Sequence, residues 1–257
     1  MKRRTASWLA VVSTLVLALG LSACSSATSR KGTATTTSIS NPGPAQNVSA
    51  DRALASAANL KLSDFPTGWT SNPSQNSVSA NDKQLGDQLA SCLHVGLGFF
   101  NANDPASVDS PEFDDSNGST AQSSVDYQVS AARVQTMMGV VQGSKFPPCM
   151  TSALRGLVNS EIQHPSNPSD TLPAGATIGT VTFAPMSFPS YGDRSSAFRV
   201  TIPISFNGLT LSGYFDLIVV QKARAVISLQ FFGNESPFDA SMEQQLTGAV
   251  VGRVAST

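Results

Sequence analysis

Between Ala197 and Phe206 the apolar residues Phe198, Val200, Ile202, Ile204 and Phe206 alternate with Arg199, Thr201, Pro203 and Ser205. This period of two is that of a strand with one buried and one wet face. Asn207-Gly208 follows, a dipeptide that accepts the positive φ angles of a two-residue type I′ turn. Closing a hairpin there sets Phe206 opposite Leu209, Ile204 opposite Leu211, Ile202 opposite Gly213, Val200 opposite Phe215 and Phe198 opposite Leu217. All five pairs fall on one face, so turn chemistry and hydrophobic pattern demand the same register. The wet face of the same pairing sets Arg199 against Asp216 and Thr201 against Tyr214, an exposed charge pair of small energetic weight. A third strand is expected after a turn at 222–224, with Ala225, Ile227, Leu229 and Phe231 on its apolar face, making a meander. Pro203 has no N–H to give to an outer neighbour, so the first strand is an edge or its outer ladder is interrupted there. A further strand is expected at Thr177 to Phe183.

Other segments repeat at helical spacing. Leu85, Leu89, Cys92 and Leu93 form one stripe, which turns Cys92 inward; Val134, Met137, Met138 and Val141 form a second behind a Ser130 cap; Met150, Ala153, Leu154 and Leu157 form a third. Near the end, Ser236-Pro237-Phe238-Asp239 reads as an N-cap, a first-turn proline and an acid at N3, ahead of a stripe of Phe238, Met242, Leu246, Ala249 and Val250. Helices, then a meander, then a closing helix predict an α+β fold: an antiparallel sheet covered on one face by helices. The polar stretches 101–124 and 164–174 read as long surface loops. No internal repeat is visible.

The first residues have a different character. Lys2, Arg3 and Arg4 precede an apolar run from Trp8 to Leu21, which is short of the about 20 residues a spanning helix needs and has the form of an export signal. Leu21-Ser22-Ala23-Cys24 then resembles the lipobox of bacterial lipoproteins. That resemblance implies cleavage after Ala23 (signal 1–23), acylation of Cys24 and anchoring at the extracytoplasmic face of the cell membrane, since two or more chains give stable attachment. Residues 24–50 would be the lipidated cysteine and a Ser/Thr-rich tether with almost nothing to bury; treated as a flexible coil they reach roughly 30 Å. Residues 51–257 are then expected to form a single extracytoplasmic domain.

Loss of Lys2, Arg3 and Arg4 leaves 13 of the 16 basic residues against 17 acidic ones, a formal charge of −4, which argues against nucleic acid as a partner. The remaining charges are spread thinly, with no basic run to add electrostatic membrane binding, so the lipid bilayer is held through Cys24 alone. Cys92 and Cys149 are the two cysteines left, and export favours a disulfide between them. The competing use is a metal site of Cys92, His94, Cys149 and His164, whose spacing matches no zinc pattern; no metal and no cofactor is expected.

There is no G-x-S-x-G elbow, no S-x-x-K and no phosphate-binding G-x-x-x-x-G-K, and Gly96-Leu97-Gly98 has Asn101 where a dinucleotide site wants its third glycine. A histidine-dependent catalyst would have to use His94 or His164, and Asp114-Asp115 lies in a solvated polar stretch. No catalytic residue is therefore assigned. The aromatics Trp69, Phe99, Phe100, Tyr127, Phe188, Tyr191 and Tyr214 are the residues to watch for a recognition surface, with Trp69, Tyr191 and Tyr214 the ligand-facing candidates.

The segment Leu62-Ser63-Asp64-Phe65-Pro66-Thr67-Gly68-Trp69, with one cysteine in each of two helices and a closing meander, resembles exported lipoproteins of actinobacteria. It is similar, too, to extracytoplasmic sensor-like domains of actinobacterial membrane kinases. The resemblance implies an envelope location and a binding or sensing role toward a small ligand, an envelope component or a protein partner. A cell-envelope hydrolase and a structural or assembly lipoprotein are the alternatives.

Overall fold

A computed structural model describes residues 47–73, 80–97, 99–100, 106–163 and 175–255. The lipobox, Cys24, most of the expected tether and His164 lie outside the described residues. In chain order the elements are α1 (Val48–Ala58), a 3-10 turn (Leu62–Asp64), β1 (Thr70–Asn72), α2 (Ala80–Leu93), β2 (Val108–Asp109), β3 (Glu112–Asp114), β4 (Thr120–Tyr127), α3 (Ala131–Val141), α4 (Phe146–Gln163), β5 (Thr177–Ile178), β6 (Thr182–Pro185), β7 (Arg194–Phe206), β8 (Leu209–Lys222), β9 (Ala225–Asn234) and α5 (Ala240–Arg253). The fold is α+β.

The strands form one antiparallel sheet in the order β1-β3-β4-β9-β8-β7-β5, with β2 on β4 and β6 on β7. The β7–β8 hairpin has the register the alternation demands, from Phe206 opposite Leu209 to Phe198 opposite Leu217. Asn207 and Gly208 both have positive φ, 51° and 79°, as a type I′ turn requires. Pro203 does interrupt the outer ladder. β6 pairs with 198–201 and β5 with 204–205, and between them the Gly179 N–H donates to the Pro203 carbonyl at 2.7 Å. The segment expected as one strand is thereby split in two.

Helices pack on both faces, where the alternation in β7 implied one. On one face Phe198, Val200, Ile202, Phe215, Leu217 and Val219 meet α2, α3 and α4; on the other Ala197, Ile218, Val220, Ile227, Leu229 and Phe231 meet α1 and α5. The reason lies in β8 and β9. Leu217, Ile218, Val219 and Val220 are consecutive and all buried, and nine of the ten residues of β9 are buried, as in strands covered on both sides. The supposed wet face of the hairpin is accordingly not wet at Asp216, which is 1% exposed.

Four further features differ from expectation. The closing helix is capped by Asp239, whose carboxylate accepts from the Met242 N–H at 2.8 Å, so Ser236 and Pro237 precede it. Asn47 caps α1, so residues 48–50 are helical rather than tether. The stretch 101–124 contains β2, β3 and the start of β4. Its buried β4 positions are Ala121, Ser123, Val125 and Tyr127, small or hydroxylated enough to hide the strand pattern. Lastly, Cys92 lies at the exposed edge of α2 while Cys149 is buried; they are joined as a disulfide with Cα atoms 5.7 Å apart, which displaces the metal reading. No helix among the described residues is long and apolar enough to cross a membrane.

Candidate functional site

The sheet has a hairpin end, at Asn207-Gly208, and an opposite end at the β8–β9 turn. Near that opposite end lies a cleft between the sheet and α3. It is walled by Phe99, Phe100 and Met137, with Ser124, Asp126, Gln128, Arg133 and Ser228 supplying polar groups. Three features build it. α3 begins at the Ser130 cap, whose hydroxyl accepts from the Arg133 N–H at 3.3 Å, and crosses β9, β8 and β7 in turn, placing Arg133 and Met137 over Val226. Edge-on packing of Phe99 on Phe100, centroids 4.9 Å apart, closes one side. The end of β4 is pinned by the Gln128 N–H donating to the Arg224 carbonyl at 2.9 Å.

Gln128 is the polar centre of this cleft. Its Nε2 donates to an Asp126 carboxylate oxygen, an acceptor only, which fixes the amide orientation and turns Oε1 away. That Oε1 is buried and has no hydrogen-bond partner among the described residues, a costly state for a buried acceptor. The cleft encloses about 20 Å³, room for little more than a water. The enclosed part has room for one hydrogen-bonding group, and Phe99 and Met137 stand at its rim. Of the three ligand-facing candidates none lines the cleft. Trp69 stacks on Phe65 at 4.7 Å, the Tyr191 hydroxyl donates to the Gln244 carbonyl at 3.0 Å, and Tyr214 lies half-buried on the opposite face, two residues from Asp216.

A second cluster sits under α5. Arg199 donates twice to Asp216, Nε and Nη2 each at 2.6 Å, and Glu243 comes down on the pair from α5. Glu243 is 0% exposed, and its carboxyl meets the Asp216 carboxylate. Burial, with Asp216 beside it, pushes its carboxyl up to about 9, against the opposing pull of Arg199. It is therefore a neutral acid at pH 7. The cluster has the residues of acid–base chemistry and no approach for a substrate. A signal for it existed in the sequence: Glu243 stands three and seven residues before Leu246 and Val250, on the buried stripe.

The Leu62 to Trp69 segment works as a clasp. The Asp64 carboxylate accepts from the Lys61 N–H and takes both Nη atoms of Arg253, at 2.9 and 2.8 Å. Burial works to raise the Asp64 pKa, but these bonds outweigh it and hold the carboxyl below the usual range. Gly68, at φ 104°, makes a turn only glycine makes easily, bringing Trp69 back onto Phe65 and Phe238. The motif fastens α5 to the sheet. His94 adopts φ 55° just past α2, ending that helix.

No family model and no curated relative matches the chain. Among solved structures it is similar to LpqN, involved in cell envelope biogenesis of Mycobacterium tuberculosis. Identity is 15%, the match covers 73% of this chain and 76% of that one, and the TM-score is 0.25. A likeness of that extent leaves fold and function to be argued from the residues themselves.

Proposed function

We propose that this chain is a membrane-anchored extracytoplasmic binding module, tethered through Cys24, which holds a small envelope molecule at the cleft beside α3. The observation that carries the reading is the unpartnered, buried Oε1 of Gln128 in a cleft walled by Phe99, Phe100 and Met137. Polar groups converging on a recess with an aromatic and methionine rim are what a ligand site offers for orientation. With the amide held by Asp126, the group offered to the ligand is an acceptor, so the ligand brings an O–H or N–H. Binding is favoured over hydrolysis because the tight pairing of carboxyl groups seen among the described residues, Asp216 with Glu243, is sealed under α5.

Native mass spectrometry of protein extracted from its own membrane in mild detergent tests this. Wild type should carry a small-molecule adduct, and Met137→Trp, which fills the cleft, should lose it. An adduct of unchanged mass and occupancy in that variant, or none in wild type, would sink the proposal.

A further inference from the structure

The fold gathers charges that are scattered in sequence. Around the β8–β9 turn stand Lys222 and Arg224. Arg194 opens β7 opposite Gln221, and Arg133 lies in the first turn of α3. Lys145 is three residues past Gln142, whose amide donates to the Ser195 carbonyl at 3.3 Å. Arg52 follows Asp51, which is bound to Arg224 at 2.9 Å. The carboxylates at this end are Asp51, Asp126, Asp193 and, opposite Ser124 of the cleft, Asp109, so among the described residues six basic groups meet four acidic ones, in a mature chain of net charge −4. At the hairpin end of the sheet lie Glu112, Asp114 and Asp115 around the β3–β4 turn, Glu235 after β9 and Asp239 at the cap of α5. The domain is polarised along its strands, basic at the cleft end and acidic at the other.

The same basic end is where the chain from Cys24 arrives. Asn47 caps α1 one turn before Asp51, and Asp51 and the Gln128 carbonyl share the Arg224 guanidinium, so tether exit and cleft are neighbours. The hairpin tip lies the length of β8 away, roughly 45 Å for 14 residues. Val129, between Gln128 and the Ser130 cap, is 58% exposed, a large apolar side chain at the basic end.

We propose that this end is a docking surface for an anionic bilayer, with Arg133, Lys145 and Arg194 facing lipid phosphates and Val129 at the level of the head groups. The proposal rests on acylation of Cys24 and goes beyond it, since a tether alone leaves the domain free to turn. Basic groups near an anionic leaflet are attracted within a Debye length. The carboxylates of the far end are repelled, so attraction and repulsion select one orientation, with the cleft toward the membrane.

The test uses the mature acylated protein in phosphatidylcholine vesicles with and without phosphatidylglycerol, their acyl chains brominated. In a Trp69→Phe background, the single reporters Val129→Trp and Leu209→Trp mark the two ends; Leu209 is 70% exposed and tolerates the change. On anionic vesicles the bromine should quench Val129→Trp several-fold more than Leu209→Trp. High salt, or Arg133→Glu, Lys145→Glu and Arg194→Glu together, should bring the two to the same level while the protein still floats with the vesicles. Equal quenching at both ends, or quenching at position 129 indifferent to salt and to charge reversal, overturns the docking surface. Failure of the unaltered protein to float overturns the acylation on which it rests.

Discussion

Replacing Glu243 by glutamine should stabilise the protein, and by an amount that grows with pH. The carboxyl has an ordinary value of 4.5 and is pushed up to about 9 in the fold. Between those values the folded chain keeps a proton that the unfolded chain releases, so stability falls as pH rises through this window and levels off above about 9. Each pH unit is worth about 1.4 kcal/mol. At pH 7 the cost is therefore about 3 kcal/mol, and at pH 5 under about 1 kcal/mol. Glutamine fills the same space, cannot ionise and removes the pH-dependent part of the cost. Urea unfolding of wild type and Glu243→Gln with the disulfide intact, from pH 5 to 9, should give stabilities that diverge steadily, and thermal melts near pH 7 should differ in midpoint by about 6–12 °C. A constant gap across that range, or a wild type whose stability is flat between pH 5 and 8, would refute the assignment of a neutral buried acid.

Arg199→Ala removes the cation bound to a 1%-exposed carboxylate and should cost about 3–5 kcal/mol in equilibrium unfolding; a loss under 1 kcal/mol would mean that water reaches Asp216. Asp64→Asn should flatten the acid side of the stability profile. The lowered Asp64 value contributes stability above pH 4 that is lost as pH falls through it, so an unchanged acid limb in urea melts would speak against the clasp. Cys92→Ser with Cys149→Ser opens a loop of 57 residues and should cost about 4 kcal/mol on the chain-entropy account, read as a shift of the urea midpoint against unreduced wild type. Cys24→Ala should leave the exported protein in the aqueous phase of a detergent partition; equal partitioning of the two would dispose of the lipid anchor.

The meander was legible to the residue because two independent constraints, the Asn207-Gly208 turn and the alternation from Phe198 to Leu217, allow one register. Helix faces were legible for a similar reason: Leu85, Leu89, Val134, Met138, Met150 and Leu154 carry large apolar groups at helical spacing. β4 was not, because its buried Ser123 is satisfied by partners distant in sequence, donating to Asn59 and accepting from the Leu60 N–H. The cleft was half legible. Phe99 and Phe100 stood out as aromatics, but Gln128 becomes notable only once β4 is a strand and Asp126 sits two residues away on its face. The basic end was invisible, since Arg52, Arg133, Lys145, Arg194, Lys222 and Arg224 come together only when α1, α3 and three strands close on one another.

The break at Pro203 bears on how copies of this protein coexist. β7 runs for 13 residues at the margin of the sheet, and an unbroken outer row of N–H and C=O groups that long is a template on which another chain can add itself as a strand. Here the row is taken up by two short neighbours, β6 and β5, and at Pro203 there is no donor to extend the ladder. Only a few residues of continuous edge are offered anywhere along it, so crowding gives these molecules little opportunity to aggregate by edge-to-edge pairing.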